Sequence, residues 1–304
     1  MRISTISMTG AMIVALISAT PAFANLNVFA CEPEWGALST EIGGDKVSVT
    51  VATTGQQDPH QIQARPGLIA RARNADITVC SGAELEIGWL PQILAQTSNQ
   101  KIRPGAPGAF DAASFVHLVD VPARFDRAEG DIHSQGNPHI QTSPANILAV
   151  AKPLADRFAQ LDPGNAQYYQ SRLADFTTRW QAAMAKWQQQ AAPLKGVPIA
   201  VEHLSWTYME NWLGLRRVVA LEPKPGVPPS AGYLAQVVDT LQKDPVKMVI
   251  RAAYEDDRPS KFISDKMHVP AVVLPFTVGG TDAAKNLFTL YDDTISRLLA
   301  AAKG

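Results

Sequence analysis

Three of the six histidines in this 304-residue chain lie where an imidazole could serve as a ligand. His60 sits in DPHQIQARP, just past the apolar run VSVTVAT, and His203 closes the apolar run VPIAVEH in the second half. Open parallel α/β sheets place their ligands at such strand ends. His139, in NPHIQTSP, lies between two prolines that restrict the backbone and would hold a side chain still. Three neutral imidazoles with one carboxylate make a tetrahedral N₃O set, which suits Zn²⁺. A carboxylate candidate is Asp282, in VLPFTVGGTDAAKNL, where a helix start after a Gly-Gly turn would orient it, although a plain N-cap or first-turn acid explains it as well. Glu255, in IRAAYEDDRP, competes for the same role, and water is a third option.

The remaining histidines read differently. His133 and Asp131 share the polar loop GDIHSQG, beside the site mouth, and are expected to capture or hand over metal transiently. His117 falls in the strand-like run SFVHLVDV and is expected to be structural, and His268 precedes a strand at the end away from the ligand face. No His-Glu-x-x-His motif exists. Glu202, the nearest general-base candidate, would face the other side of its strand from His203. That weighs against a zinc hydrolase, which a histidine site with an open position could otherwise be. An organic-solute binder is a further rival, for which Trp206 and Tyr208 could line a cleft, although core packing explains them equally well.

The elements that must position these groups alternate. LNVFAC, VSVTVAT and DITVCSG read as strands, separated by helices in EPEWGALSTEIGG and PGLIARARNA, the βαβ signature of a parallel sheet. ELEIGWLPQILAQT is a further helix. SPANILAVAKPLADRFAQLD begins a helical region with Pro144 at its first position. A helix of some thirty residues follows Pro163-Gly164, and at 1.5 Å per residue it would run about 40 Å. Four more strands, KGVPIAVEH, LRRVVALEP, VKMVIRAAY and VPAVVLPF, then alternate with helices. The expected architecture is two α/β domains with parallel-type sheets joined by one long rigid helix, with the metal site in the cleft. Residues 25–164 form the first domain, 165–192 the connecting helix and 193–304 the second domain.

Composition bounds the rest. Twenty-seven basic against 28 acidic side chains give no reason to expect nucleic acid as partner. Residues 1–24 carry Arg2, a short apolar stretch and Ala22-Phe23-Ala24, the pattern of a cleavable secretory signal peptide, so a soluble periplasmic protein is expected. Cys31 and Cys80 each end a strand-like run. If those strands are neighbours, an exported compartment permits a disulfide between them.

Taken in order, DPHQIQARP, ADITVCSGAELEIGWL, NPHIQTSP, NAQYYQSRLADF and VEHLSWTYMENWLGL make the chain resemble the zinc/manganese-type metal-binding solute-binding proteins of bacterial ABC importers (cluster A-I), most like the zinc-specific members. The resemblance spans essentially the whole chain after the leader. It implies His60, His139 and His203 as ligands, with a fourth from the carboxy-terminal segment, and a binding protein with no enzymatic activity. It implies Zn²⁺ as cargo for import, with Mn²⁺, Ni²⁺ and Cu²⁺ as alternatives. Its implied partners are a membrane permease and a periplasmic zinc chaperone, met by a monomeric chain. Manganese binders of the family usually have a carboxylate where this chain has His203.

Overall fold

The computed structural model describes residues 25–303 apart from 125, 127 and 129. The leader 1–24, read above as a signal peptide, lies outside the described residues. Short buried apolar runs form the first sheet: β1 (Leu26–Ala30), β2 (Val47–Val51), β3 (Ile77–Cys80) and β4 (Ala109–Asp111). All pair in parallel in the order β2-β1-β3-β4. The second sheet, β5 (Pro198–Val201), β6 (Arg216–Ala220), β7 (Met248–Ala252) and β8 (Ala271–Leu274), repeats that order as β6-β5-β7-β8. In each sheet the chain starts in the middle, goes to one side and crosses back. This leaves a switch point beside β1 and beside β5, where the loops after adjacent strands diverge and open a crevice.

Helices cover both sheets. α1 (Pro33–Gly43), α2 (Pro66–Arg73) and α4 (Pro144–Leu161) each open with proline at the first position, where its missing N–H costs nothing. α3 (Leu90–Thr97) lies between α2 and α4 in the chain, and α6 (Thr207–Leu213), α7 (Ala231–Lys243), α8 (Asp257–Met267) and α9 (Leu287–Lys303) serve the second half. Among the described residues no helix is long and apolar enough to cross a membrane. β4 is absent from the strands expected above: three residues are too few to show a period. The run around His117 is not a strand, and His117 itself is exposed. The Cys31–Cys80 disulfide is present, because β1 and β3 are neighbours, with Cys31 directly after β1 and Cys80 at the end of β3.

The long helix α5 (Ala166–Gln190) has 25 residues and buries Tyr169, Phe176, Trp180 and Trp187, a 7-4-7 spacing that puts them on one face. Trp180 Nε1 donates to the carbonyl of Pro144 (2.9 Å) at the start of α4, and Trp187 Nε1 donates to Asp292 (2.8 Å) on α9. One continuous apolar cluster therefore contains side chains from both sheets. A second bond joins the halves on the site side, where Thr277, just past β8, donates to the carboxylate of Glu34 on α1.

Glu34 is fully buried, and burial pushes its carboxyl up to about 7 against the opposing hydrogen bond from Thr277. A carboxyl raised in the folded state binds a proton that the unfolded chain has already released. Its stabilisation is full below the unfolded value of 4.5 and is lost as pH rises through about 7. Thermal melts of the metal-free protein should show Glu34→Gln with a shallower fall in stability between pH 5 and pH 8. The difference amounts to at most about 3 kcal/mol, and parallel pH profiles for the two proteins would disprove the assignment.

Candidate metal centre

Four imidazoles meet in the crevice between the two sheets. The ring centroids of His60 lie 5.2 Å from His139, 5.6 Å from His203 and 5.4 Å from His133. His139 is 5.5 Å from His203 and 5.9 Å from His133. The ligand-capable atoms of His60, His133 and His139 all fall within 4.8 Å of one another.

A repeated local device aims two of the rings. Asp58 Oδ1 accepts both the backbone N–H of His60 (3.0 Å) and a hydrogen bond at its Nδ1 (2.8 Å). Asn137 Oδ1 does the same for His139, at 3.0 Å and 2.8 Å. The sequences are Asp-Pro-His and Asn-Pro-His, so a short side-chain acceptor two residues upstream folds back over a rigid proline. The orientation of the Asn137 amide is fixed from its other end. Nδ2 donates to Asp120 Oδ2 (3.0 Å) and to the Leu204 carbonyl (2.9 Å), both of which only accept. His139 must therefore carry its proton on Nδ1 and present a bare Nε2.

His203 is oriented from farther away, its Nδ1 lying 2.6 Å from Glu222 Oε2, two residues past the end of β6. The same oxygen accepts the Gly226 N–H (2.8 Å). Acceptors on the outward nitrogen of an imidazole are what metal-ligating histidines need, because they set the tautomer and raise the basicity of the other nitrogen.

The inward nitrogens are spaced for an ion. Nε2 of His60 and Nε2 of His139 are 3.3 Å apart. Two nitrogens about 2.05 Å from a zinc ion at the tetrahedral angle would be separated by about 3.3 Å. The electrostatics agree. Burial holds the His139 imidazole well below its usual range, and the neighbouring His60, His203 and His133 lower it further, so its lone pair stays available. His203 is pulled down by burial, but the Glu222 hydrogen bond and charge outweigh this and raise it.

Asp282 does not join the cluster. It is exposed and lines neither of the cavities that the histidines border. After β8 the chain turns back on itself through Gly280 N–H to Thr277 O and Gly279 N–H to Ala284 O, and this closed turn leaves Asp282 facing solvent. The competing acid Glu255 does share a cavity of about 260 Å³ with His60, His203, Glu202 and Glu222. Burial raises its carboxyl to about 7, with His203 opposing. One of its oxygens accepts the Ala252 N–H (2.6 Å), while the other, Oε1, has no hydrogen-bond partner. His133, expected at the mouth, stacks on His60 within the cluster, and Asp131 borders the cavities on both sides of it. His268 caps the end of α8 in a left-handed conformation, in neither cavity. The orienting residues Asp58 and Asn137 could have been read from the doubled Asx-Pro-His pattern. Glu222 could not, since nothing local ties it to a histidine nineteen residues earlier.

Two like-wound parallel sheets, a long linking helix and imidazoles converging in the crevice define a metal-type solute-binding protein. The chain belongs to the family described as zinc-uptake complex component A, periplasmic (ZnuA), whose model matches residues 28–301. It is 19% identical over 265 residues to the zinc-binding lipoprotein AdcA of Streptococcus pneumoniae, covering 86% of this chain and 52% of that protein. It thus spans about half the length of that relative. It is 21% identical over 245 residues to the manganese ABC transporter substrate-binding lipoprotein PsaA of Streptococcus anginosus, covering 79% of this chain and 76% of the relative. A crystal structure of ZnuA superposes with a TM-score of 0.72 at 25% identity, over 92% of this chain and 97% of that one. The Cd-bound periplasmic metal binding protein from Candidatus Liberibacter asiaticus shares the fold, with a TM-score of 0.75 at 16% identity over 91% and 100% of the two chains.

The orienting acceptors can be tested apart from the ligands. Asn137→Ala and Asp58→Ala should each weaken metal binding roughly ten- to a hundred-fold in competition with a chelating dye. Because the Glu222 hydrogen bond and charge make His203 easier to protonate, Glu222→Gln should shift the loss of affinity in acid to lower pH. An unmoved titration midpoint would show that Glu222 does not govern His203.

Proposed function

We propose that this protein captures Zn²⁺ in the periplasm and delivers it to the membrane permease of an ABC importer. The observation that carries the reading is the aiming of the imidazoles. His60, His139 and His203 each hold Nδ1 against an oxygen, the Nε2 atoms of His60 and His139 face each other at 3.3 Å, and the His203 ring lies 5.6 Å and 5.5 Å from those two rings. A nitrogen-rich set favours zinc over manganese, a harder ion that prefers more oxygen ligands. Family membership supports metal as cargo, while relatives named for zinc and for manganese stand side by side, so the donor set carries the choice of ion. The secretory pattern of the leader supports the periplasm. A periplasmic chaperone as zinc donor and a monomeric state belong to the same reading.

In capture, the chain's own groups do three things. The Asp58 and Asn137 acceptors keep two imidazoles in the binding tautomer. Glu222 balances the charge beside His203. Buried packing around His139 removes water, which strengthens each remaining electrostatic interaction. Glu255, with an unpaired oxygen beside His203, is the group that would serve a harder ion, so it supports manganese as the second reading.

Titration calorimetry of the metal-free mature protein should give one Zn²⁺ per chain, with Mn²⁺ at least a hundredfold weaker. His60→Ala, His139→Ala and His203→Ala should each abolish tight binding. Equal affinity for the two ions, lost on Glu255→Ala, would favour the manganese reading, and absence of stoichiometric metal would sink both.

A further inference from the structure

The segment Ser81–Glu86 takes no part in the ligand set, yet its backbone is unusual. Gly82, Ala83 and Glu84 have φ of 75°, 47° and 69°, the one run of three left-handed residues among the described residues. Alanine and glutamate reach this conformation only at a cost, so the surroundings must hold it. They do so from two sides. Cys80, at the end of β3, is bonded to Cys31, and the buried Glu86 carboxylate gathers the N–H of Ser81 (2.7 Å) and of Gly82 (3.2 Å).

This turn projects one group toward the loop that bears His133. Glu84 Oε2 accepts the backbone N–H of Ser134 at 2.8 Å. Ser134 directly follows His133, whose ring stacks on His60 and meets the edge of His139. The loop that bears His133 bends at Gly130 and Gly136, with φ of 88° and 115°. A side chain at either would strike backbone, the Pro225 carbonyl at 2.1 Å or the Val119 carbonyl at 2.8 Å. Its other anchor is on the second half, where the Asp131 N–H donates to the Pro225 carbonyl (2.9 Å). The loop thus straddles the crevice, and Glu84 is its side-chain hold on the first half.

We infer that Glu84 is a positioning residue for the metal centre: by holding the Ser134 N–H it seats His133 against His60 and His139, so that the cation is bound by four imidazoles. This rests on the histidine cluster being the zinc site. A carboxylate accepting from a backbone N–H forms one of the stronger kinds of hydrogen bond, enough to select one loop position among several. A fourth nitrogen ligand also widens the preference for zinc over harder ions.

The test compares Glu84→Ala, Glu84→Gln, His133→Ala and the Glu84→Ala/His133→Ala double variant, using Zn²⁺ and Mn²⁺ affinity and the visible spectrum of the Co²⁺-loaded protein. Glu84→Ala should lower zinc affinity about tenfold, leave Mn²⁺ affinity unchanged and alter the Co²⁺ spectrum as His133→Ala does. Glu84→Gln, whose amide oxygen accepts the same N–H, should restore both. The double variant should lose no more than His133→Ala alone, because the two residues act as one unit. Wild-type affinity in Glu84→Ala or in His133→Ala, additive losses in the double variant, or failure of glutamine to rescue would each overturn the inference. Should Glu84→Ala fail to fold, Ser134→Pro, which deletes the donor, takes its place in the same comparison. Failure of the unsubstituted chain to take up zinc is a different result, and it removes the functional reading itself.

Discussion

The site depends on oxygen acceptors held behind the imidazoles. An imidazole free to spin offers either nitrogen and either tautomer, and a cluster of such rings would bind ions loosely and indiscriminately. Here Asp58, Asn137 and Glu222 each hold an outward nitrogen, so the inward lone pairs are set before any ion arrives. Asn137 reaches furthest. Its amide also bonds Asp120 and the carbonyl of Leu204, next to His203, so one side chain links the histidine of the first half to the loop bearing the histidine of the second.

That coupling makes sense only if the two halves keep their relation, and the core is built to keep it. α5 lays a stripe of aromatic side chains against α9, with Trp180 4.9 Å from Phe288 and Trp187 5.0 Å from Tyr291 between ring centroids. Tyr291 in turn donates to the carbonyl of Gln141 (2.6 Å), two residues from His139. Swinging the halves apart would expose this continuous apolar cluster to water, at about 25 cal/mol for each Å² uncovered. Movement on loading is therefore cheaper in the loops that bear His133 and Glu222 than in the spine.

Much of this was legible in the chain itself. An apolar run just before His60 and another closed by His203 marked strand ends facing a ligand crevice, and the alternation of runs and helical segments announced two parallel sheets. Two features escaped for physical reasons. β4 is three residues long, too short for any period to appear. Asp282 satisfied every local criterion for an oriented carboxylate, but whether such a group faces a crevice or solvent depends on how its loop closes. Hydrogen bonds within the turn after β8 turned it outward. The place of His133 was hard to read for another reason: its neighbours are polar and rich in glycine, which reads as a solvated loop, and nothing nearby in sequence announces Glu84, whose carboxylate accepts the N–H of the next residue, Ser134.

By itself, then, the sequence determined the elements other than β4, their parallel winding, the cysteine-bearing strand ends and the three histidines at rigid or strand-end positions. These follow from period, proline and apolar patterning, which act over a few residues. Only the tertiary structure decided the neighbours of each imidazole: Glu222 behind His203, Glu255 in place of Asp282 beside the cavity, and Glu84 holding the loop of His133 fifty residues away. The reason is that a ligand set is an intersection of loops from two sheets. Which side chains meet there depends on sheet order and loop closure, and neither is written in any one segment.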